Sequence, residues 1–218
     1  MSFYHIPNLN ESAFAETLAQ FCRKYPDIKV SAEEKTPREI VKTVADTPDC
    51  LGLLALPKKD FDEYPYEGQE IKVCFLYQEK FNICVGASYL LDRKIVSINE
   101  MLKHPWVIFE YTKGMSTATL LERYGEPEVF MRTNNSEIFR KLIRDGLAIG
   151  MVVDSTTRNK QFKDDNIRFI PIRESNDDLS FYLHLIASAR YCLSPATELL
   201  VEAISHSLPQ SQQIKLDA

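Results

Sequence analysis

The stretch from Val129 to Ser155, VFMRTNNSEIFRKLIRDGLAIGMVVDS, decides the fold because it predicts one strand-helix-strand unit. A short strand leads into the polar turn Thr133-Asn134-Asn135-Ser136, which can cap a helix. Apolar residues then recur at helical spacing until Gly146 ends the helix, and Ala148 to Val153 is apolar enough for a buried parallel strand. Open α/β sheets bind ligands at such strand-to-helix turns. The pattern therefore predicts a receptor for a small molecule.

The composition is that of an ordinary globular protein. The chain has 218 residues, 44% hydrophobic and 26% charged, enough for one large domain or two lobes. Lys and Arg total 26 against 31 Asp and Glu, and this net charge of -5 argues against a dedicated nucleic-acid surface. The sequence shows no membrane-spanning stretch and no secretory leader pattern, so we expect a cytoplasmic protein.

The cysteines and histidines do not form a chemical motif. The five cysteines include no C-x-x-C pair, and Cys22, Cys84 and Cys192 lie in apolar periodic segments that predict buried thiols in a reducing compartment. The four histidines lack metal-ligand spacing, and chance is the better explanation for a pairing such as Cys84 with His184. No nucleotide-binding or nucleophile-elbow motif is present. We therefore expect no catalytic residues, no metal and no cofactor.

Strands and helices alternate along the chain, which predicts a mostly parallel sheet. The clearest signal is Thr36-Pro37-Arg38-Glu39, where a capping residue, a proline at the first helical position and a reciprocal Glu begin a helix. The other predicted elements are a strand at Phe3–Ile6, a helix at Phe14–Tyr25 capped by Asn8 or Asn10, a strand marked by Ile28 and Val30, strands at Leu51–Leu56, Ile71–Tyr77, Phe81–Val85 and Trp106–Phe109, a helix at Thr117–Tyr124, strands at Ile167–Ile172 and Phe181–Ala187, a short helix from Ser97 and a last helix from Ser194.

Four segments in collinear order carry a resemblance to a known family. They are Phe21–Ile28 with its Tyr-Pro pair, Val41–Leu56, Phe81–Leu91 and Met101–Ile108. In this order and spacing the chain resembles the effector-binding domain of LysR-type transcriptional regulators, which share the fold of type 2 periplasmic binding proteins. One departure is Gly146-Leu147-Ala148, where the family often has Gly-x-Gly, because alanine adopts positive φ less easily than glycine.

The resemblance implies an α/β fold of two Rossmann-like lobes joined by two crossover strands. The first lobe would comprise residues 1–78 and 182–218, and the second residues 79–181. The family's DNA-binding helix-turn-helix precedes the matched region and is absent from this sequence. We expect an excised regulatory domain, and a natural stand-alone relative is the other interpretation.

The resemblance also implies an effector in the cleft between the lobes. The residues expected to contact it are Pro7, Asn8, Leu9, Thr36, Tyr111, Thr112, Lys113, Met115, Ser116, Thr133 and Asn134. Asn8 and Thr36 match positions that contact effectors in several members, but each can equally be a helix cap, and both roles can hold together. Helix N-termini favour an anionic metabolite, and Lys113 and Arg132 are candidate counter-ions or plain surface charges.

The expected partners follow from the same resemblance. The helix that begins near Ser12 would pack against the helix at Thr133–Asp145 of a second copy, giving a homodimer, or a tetramer in the full-length protein. DNA would be bound only through the missing N-terminal domain, and no membrane is involved. The leading hypothesis is thus a ligand-sensing, oligomerising domain of a transcription factor. A transporter's solute-binding protein of the same fold is the alternative, and an enzyme on this fold ranks third.

Overall fold

A computed structural model describes residues 1–6, 13–57, 70–89, 92–112, 115–158, 162, 165–174 and 179–207. The chain divides into two compact units, residues 1–78 with 181–218 and residues 79–180. In chain order the elements are β1 (Ser2–His5), α1 (Ala13–Lys24), β2 (Ser31–Glu34), α2 (Pro37–Asp46), β3 (Cys50–Pro57), β4 (Ile71–Gly86), α3 (Ile98–Met101), β5 (Pro105–Thr112), β6 (Met115–Ser116), α4 (Thr117–Leu121), β7 (Glu128–Thr133), α5 (Ser136–Arg144), β8 (Gly150–Val153), a 3-10 turn (Asp154–Arg158), β9 (Ile167–Pro171), β10 (Ser180–Ser188) and α6 (Pro195–Ser207). The chain passes between the units within β4 and within β10.

The first unit is a mixed sheet with helices packed on it. β1 pairs in parallel with β2 and β3, and β10 runs antiparallel to β3. The strand order is β2-β1-β3-β10-β4. The central strands bury their side chains fully, as Phe3, Leu51 and Leu53 show. Because three parallel strands end at the same edge, the residues that follow them share that edge.

Gly52 fixes how closely α2 approaches this sheet. A Cβ built on Gly52 would lie 2.5 Å from Cγ2 of Ile40 on α2 and 2.7 Å from Cγ1 of Ile186 on β10. Both isoleucines are fully buried, so neither has room to move aside. The missing side chain therefore lets α2 pack directly on β3 and positions the start of that helix, which matters for the site below.

The second unit has its own core. The second half of β4 pairs antiparallel with β8 and β9, and β5 pairs in parallel with β7. Helix α5 buries Phe139 and Ile143 in a cluster with Cys84, Val107 and other apolar side chains. Gly146 ends the helix at φ 71°, and the N–H of Leu147 donates to the carbonyl of Leu142. The predicted strand-helix-strand unit is confirmed as β7, α5 and β8.

Two strand predictions were wrong in extent or position. The second strand was expected at Ile28 and Val30 but lies at Ser31–Glu34, where all four residues are exposed. An edge strand with no buried face shows no apolar alternation, so the periodicity pointed to the neighbouring residues. The two strands predicted at Ile71–Tyr77 and Phe81–Val85 form a single strand of 16 residues, since residues 78–80 continue the extended backbone.

The direction of β8 was also only partly predicted. It was expected in a parallel sheet, yet it runs antiparallel to β4. Its parallel pairing is limited to a single bridge between Ile149, just before β8, and Trp106 on β5. An apolar run shows that a strand is buried on both faces but does not show its direction. The sheet is therefore more mixed than the sequence indicated, within an α/β fold of the expected class.

The prediction of buried thiols was wrong for Cys22 and Cys192, which are both exposed, and right for Cys84. Cys22 follows the buried Phe21 on α1, and the exposed Arg23 and Lys24 come next, so its helical position faces outward. Cys192 lies in the connection between β10 and α6. Buried thiols do exist at Cys50 and Cys74. Local apolar composition did not separate the two groups because burial depends on the face each residue occupies.

Candidate functional site

In the first unit, the candidate site is the start of α2. Thr36 precedes Pro37, the first residue of the helix, and adopts the extended conformation of an N-cap with φ -67° and ψ 154°. The N–H of Glu39 donates to Oγ1 of Thr36 at 3.4 Å, and the N–H of Thr36 donates to Oε2 of Glu39 at 2.9 Å. This is the reciprocal capping box that the sequence predicted.

The start of α2 lies at the carboxyl edge of the parallel strands. The N–H of Lys35, next to Thr36, donates to the carbonyl of His5 at the end of β1, at 3.0 Å. The N–H of Ile6 donates to the carbonyl of Leu53 on the neighbouring strand at 3.3 Å. The predicted contact residue Thr36 is thus fixed beside the end of β1, at the edge where open α/β sheets bind ligands.

The second unit offers a similar turn between β7 and α5. Oγ1 of Thr133 accepts the N–H of Asn135 at 3.0 Å. Oδ1 of Asn135 accepts the N–H groups of Glu137 at 2.9 Å and Ile138 at 3.0 Å. Asn135 is therefore the N-cap, and Asn134 is an exposed residue of the turn. Thr133 and Asn134 were predicted to contact the effector and Asn135 was not, although an asparagine directly before a predicted helix is a typical N-cap.

The side chains of several predicted contact residues lie outside the described part of the structure. Pro7, Asn8, Leu9 and Lys113 lie outside the described residues, as do both capping candidates for α1. Tyr111 and Thr112 at the end of β5, and Met115 and Ser116 in β6, are described by backbone alone. Their two strands pair antiparallel with an irregular register. Their roles stay predictions.

Arg132, one of the two candidate counter-ions, already has an acidic partner. Nη1 of Arg132 on β7 lies 2.8 Å from Oε1 of Glu110 on β5. About half of the Arg132 side chain is exposed, so the pair contributes little to stability. A ligand carboxylate would compete with Glu110 for this guanidinium.

The buried thiol and imidazole are poorly suited to nucleophilic chemistry. Burial raises the pKa of the Cys84 thiol, so it stays protonated near neutral pH. Burial lowers the pKa of His184 to about 4, against a smaller opposing effect of a backbone hydrogen bond, so this imidazole is neutral. In the ranges described, no three His, Cys, Asp or Glu side chains gather as metal ligands. Over the same ranges, none of the helices combines the length and apolarity that a membrane crossing needs.

Comparison with known proteins identifies the family. The LysR substrate binding domain profile matches residues 5–209, nearly the whole chain. The chain belongs to the LysR substrate binding domain family. It is the ligand-sensing regulatory domain of a LysR-type regulator, as the resemblance predicted. The comparison with curated protein sequences gave no match.

Solved structures of LysR regulators share the fold at low identity. The LysR family regulator CbnR is 17% identical, with a TM-score of 0.69 over 96% of this chain and 70% of that one. The BenM effector binding domain with benzoate is 15% identical, with a TM-score of 0.70 over 94% of this chain and 90% of that one. The QuiR effector binding domain with shikimate is 14% identical, with a TM-score of 0.68 over 94% of both chains. This likeness agrees with the predicted periplasmic-binding-protein fold.

Proposed function

We propose that this domain binds a small anionic metabolite and that binding shifts how copies of the domain associate. The observation that carries the proposal is the family match over residues 5–209, together with a capped helix start at the carboxyl edge of the first unit's parallel strands. In such a regulator, the effector biases an equilibrium between states and the DNA-binding part reads the shift.

The proposed contacts come from each unit in turn. The first unit supplies Thr36 with Pro7, Asn8 and Leu9, and the second supplies Thr133, Asn134 and the residues from Tyr111 to Ser116. A carboxylate is supported as the ligand's charged group by two neighbours of the same fold, since BenM was solved with benzoate and QuiR with shikimate, both carboxylic acids. Helix starts favour negative charge through the partial positive charge of their N–H groups.

A thermal-shift screen tests this proposal. A ligand that binds only the folded state stabilises it by about 2.7 kcal/mol when present at 100 times its Kd. We expect at least one compound among benzoate, shikimate and related organic acids, amino acids and aromatic metabolites to raise the melting temperature. Amines of similar size and shape to these acids serve as the control for the sign of the ligand's charge. If no acid stabilises the chain at millimolar concentration, the proposed effector class is wrong.

Self-association is supported by an apolar surface in each unit. In the first unit, α1 and β2 border a groove of about 280 Å³, which is lined by His5, Phe14, Ala15, Leu18, Ala19, Cys22 and Ala32. In the second unit, β7 exposes three consecutive apolar residues, Val129, Phe130 and Met131, and α5 exposes Ile138. Exposed apolar patches of this kind mark interaction surfaces. We propose a homodimer in which α1 of one copy packs against α5 and β7 of the other.

Membership of a family of transcription regulators supports two further proposals, one on DNA recognition and one on cellular location. We assign DNA binding to a part of the regulator outside these 218 residues, because the net charge here is -5. We place the domain in the cytoplasm, where a regulator meets its DNA. We also propose that it catalyses no reaction, and complete recovery of an unaltered ligand after prolonged incubation would support this.

A further inference from the structure

The hydroxyl of Thr36 is largely committed to Glu39. A threonine hydroxyl has one hydrogen to donate and two lone pairs that accept. Its hydrogen goes to Oε2 of Glu39, 2.6 Å away, and one lone pair receives the N–H of Glu39 at 3.4 Å. One lone pair remains for a ligand. Thr36 can therefore accept a hydrogen bond from an effector, and it can donate one only after releasing Glu39.

The backbone at the start of α2 is committed in a similar way. The N–H of Thr36 donates to Oε2 of Glu39 at 2.9 Å, and the N–H of Glu39 is engaged by the Thr36 hydroxyl. Pro37 has no N–H to offer. Among the N–H groups of the first turn, only that of Arg38 takes no part in these hydrogen bonds. Such a helix start presents fewer donors to an anion than an ordinary one.

Glu39 also carries a negative charge at this position. The hydrogen bonds from the Thr36 hydroxyl and then the Thr36 backbone lower the pKa of the Glu39 carboxyl, and burial opposes them only weakly. The side chain is exposed and stays ionised at neutral pH. An effector carboxylate brought to Thr36 would meet a like charge that already holds the available donors.

We infer that Glu39 determines which group of the effector faces Thr36: a hydrogen-bond donor such as a hydroxyl or an amide, and not a carboxylate. This inference rests on the proposed function and narrows its ligand class to acids that also carry a hydroxyl or amide group. An acid with neither a hydroxyl nor an amide group has to bring its carboxylate close to Glu39, and this repulsion weakens its binding. A specificity of this kind arises as much from repulsion of the wrong group as from attraction of the right one.

The test compares two acids by calorimetry on three forms of the chain. Benzoate offers a carboxylate alone, and shikimate offers a carboxylate with hydroxyl groups. Glu39→Gln removes the charge and keeps an amide oxygen that accepts the Thr36 N–H. The matched control is Glu34→Gln, which also removes one negative charge. Glu34 is an exposed residue of β2, two positions before Thr36. Circular dichroism melts confirm that both variants fold.

We expect Glu39→Gln to bind benzoate about fivefold more tightly than the unaltered chain does, the factor for removing a like charge about 4 Å away in water. Glu34→Gln should leave benzoate affinity unchanged. Shikimate affinity should change less than benzoate affinity in Glu39→Gln, because its hydroxyl already suits the site.

Three outcomes would overturn the inference. Benzoate affinity that is equal in the unaltered chain and Glu39→Gln is one, and absence of benzoate binding to both is another. An equal gain in Glu34→Gln is the third, because it would reflect net charge alone. These results are distinct from failure of the proposed function. If the unaltered chain binds shikimate and Glu39→Gln leaves both acid affinities unchanged, only the inference is contradicted. If no acid in the screen stabilises the chain, the proposed function is contradicted.

Discussion

Asp49 and Thr197, 148 residues apart in sequence, are joined by a 2.6 Å hydrogen bond from the Thr197 hydroxyl to Oδ1 of Asp49. The same oxygen accepts the N–H of Ser194 at 2.8 Å. Asp49 lies in the turn between α2 and β3 at φ 53°, a left-handed conformation that Asp tolerates better than most residues. A turn in the first half of the chain thus holds the start of α6 in place through two hydrogen bonds.

Removing the Asp49 carboxylate should destabilise the first unit. We expect Asp49→Ala to lower the free energy of unfolding by about 2–3 kcal/mol, because it removes the acceptor of two hydrogen bonds and places alanine at positive φ. Asp49→Asn should cost about 1 kcal/mol, since asparagine tolerates the conformation and retains an acceptor oxygen. Urea denaturation followed by circular dichroism measures both changes. Asp46→Ala is the control, because its pair with Arg190 spans 3.6 Å at the surface and should contribute under 1 kcal/mol.

The contribution of Asp49 should depend on pH. Partial burial works to raise the pKa of the Asp49 carboxyl, but the hydrogen bonds from Thr197 and Ser194 outweigh burial and the pKa is lowered. A lowered pKa stabilises the folded state above the unfolded value of about 3.9, and this stability is lost as pH falls through the folded pKa. The difference between the unaltered chain and Asp49→Asn should therefore be constant from pH 5 to 7 and shrink below pH about 4. A difference that grows on acidification would contradict this.

The apolar surfaces on α1 and on β7 with α5 predict a dimer. We expect the chain to sediment as a dimer at high micromolar concentration. Leu18 lies on α1 in the groove, and Phe130 is half exposed on β7. Leu18→Glu or Phe130→Glu should each convert the dimer to monomer, because each places a charge in an apolar contact. Tyr191→Glu, an exposed apolar position outside both surfaces, is the matched control and should leave the dimer intact. A monomeric unaltered chain would show that neither surface is an interface of this kind.

The chain alone should not bind duplex DNA with sequence selectivity. Its 26 basic residues are outnumbered by 31 acidic ones, and phosphate binding depends on neutralisation by Lys and Arg. A gel-shift assay in low and moderate salt measures this, with a sequence-scrambled duplex as control. Selective binding that weakens with salt would contradict the assignment of DNA binding to another part of the regulator.

The sequence predicted those parts of the fold that local chemistry determines. The capping box at Thr36 and Glu39, the short helix from Ser97, and the stop at Gly146 were all predicted, because each depends on residues within four positions. The exposed strand β2 and the direction of β8 were not, because both depend on which strand lies alongside. Pairing partners leave little trace in a local pattern.

The helix starts at the candidate site were predictable from sequence, but the hydrogen bonds of its side chains were not. Thr36 and the turn at Thr133 were named for effector contact because of the family resemblance, and the helix starts that their capping signals predicted are present in the structure. The sequence could suggest that Glu39 caps the helix in return. It could not show that Oε2 of Glu39 takes both the hydroxyl hydrogen and the N–H of Thr36, because that depends on side-chain geometry. Whether the N–H and hydroxyl donors of a site are already hydrogen-bonded within the protein decides which ligand groups the site can bind.

Calorimetric titration of Thr36→Val with an acid that stabilises the unaltered chain tests the central claim most directly. Valine has the shape of threonine without the hydroxyl, so the fold should survive the loss of one cap, which costs about 1 kcal/mol. If the Thr36 hydroxyl contacts the effector, affinity should fall about five- to tenfold, and Asn8→Ala should weaken binding as well. Unaltered affinity in both variants would contradict the claim that Thr36 and Asn8 recognise the effector.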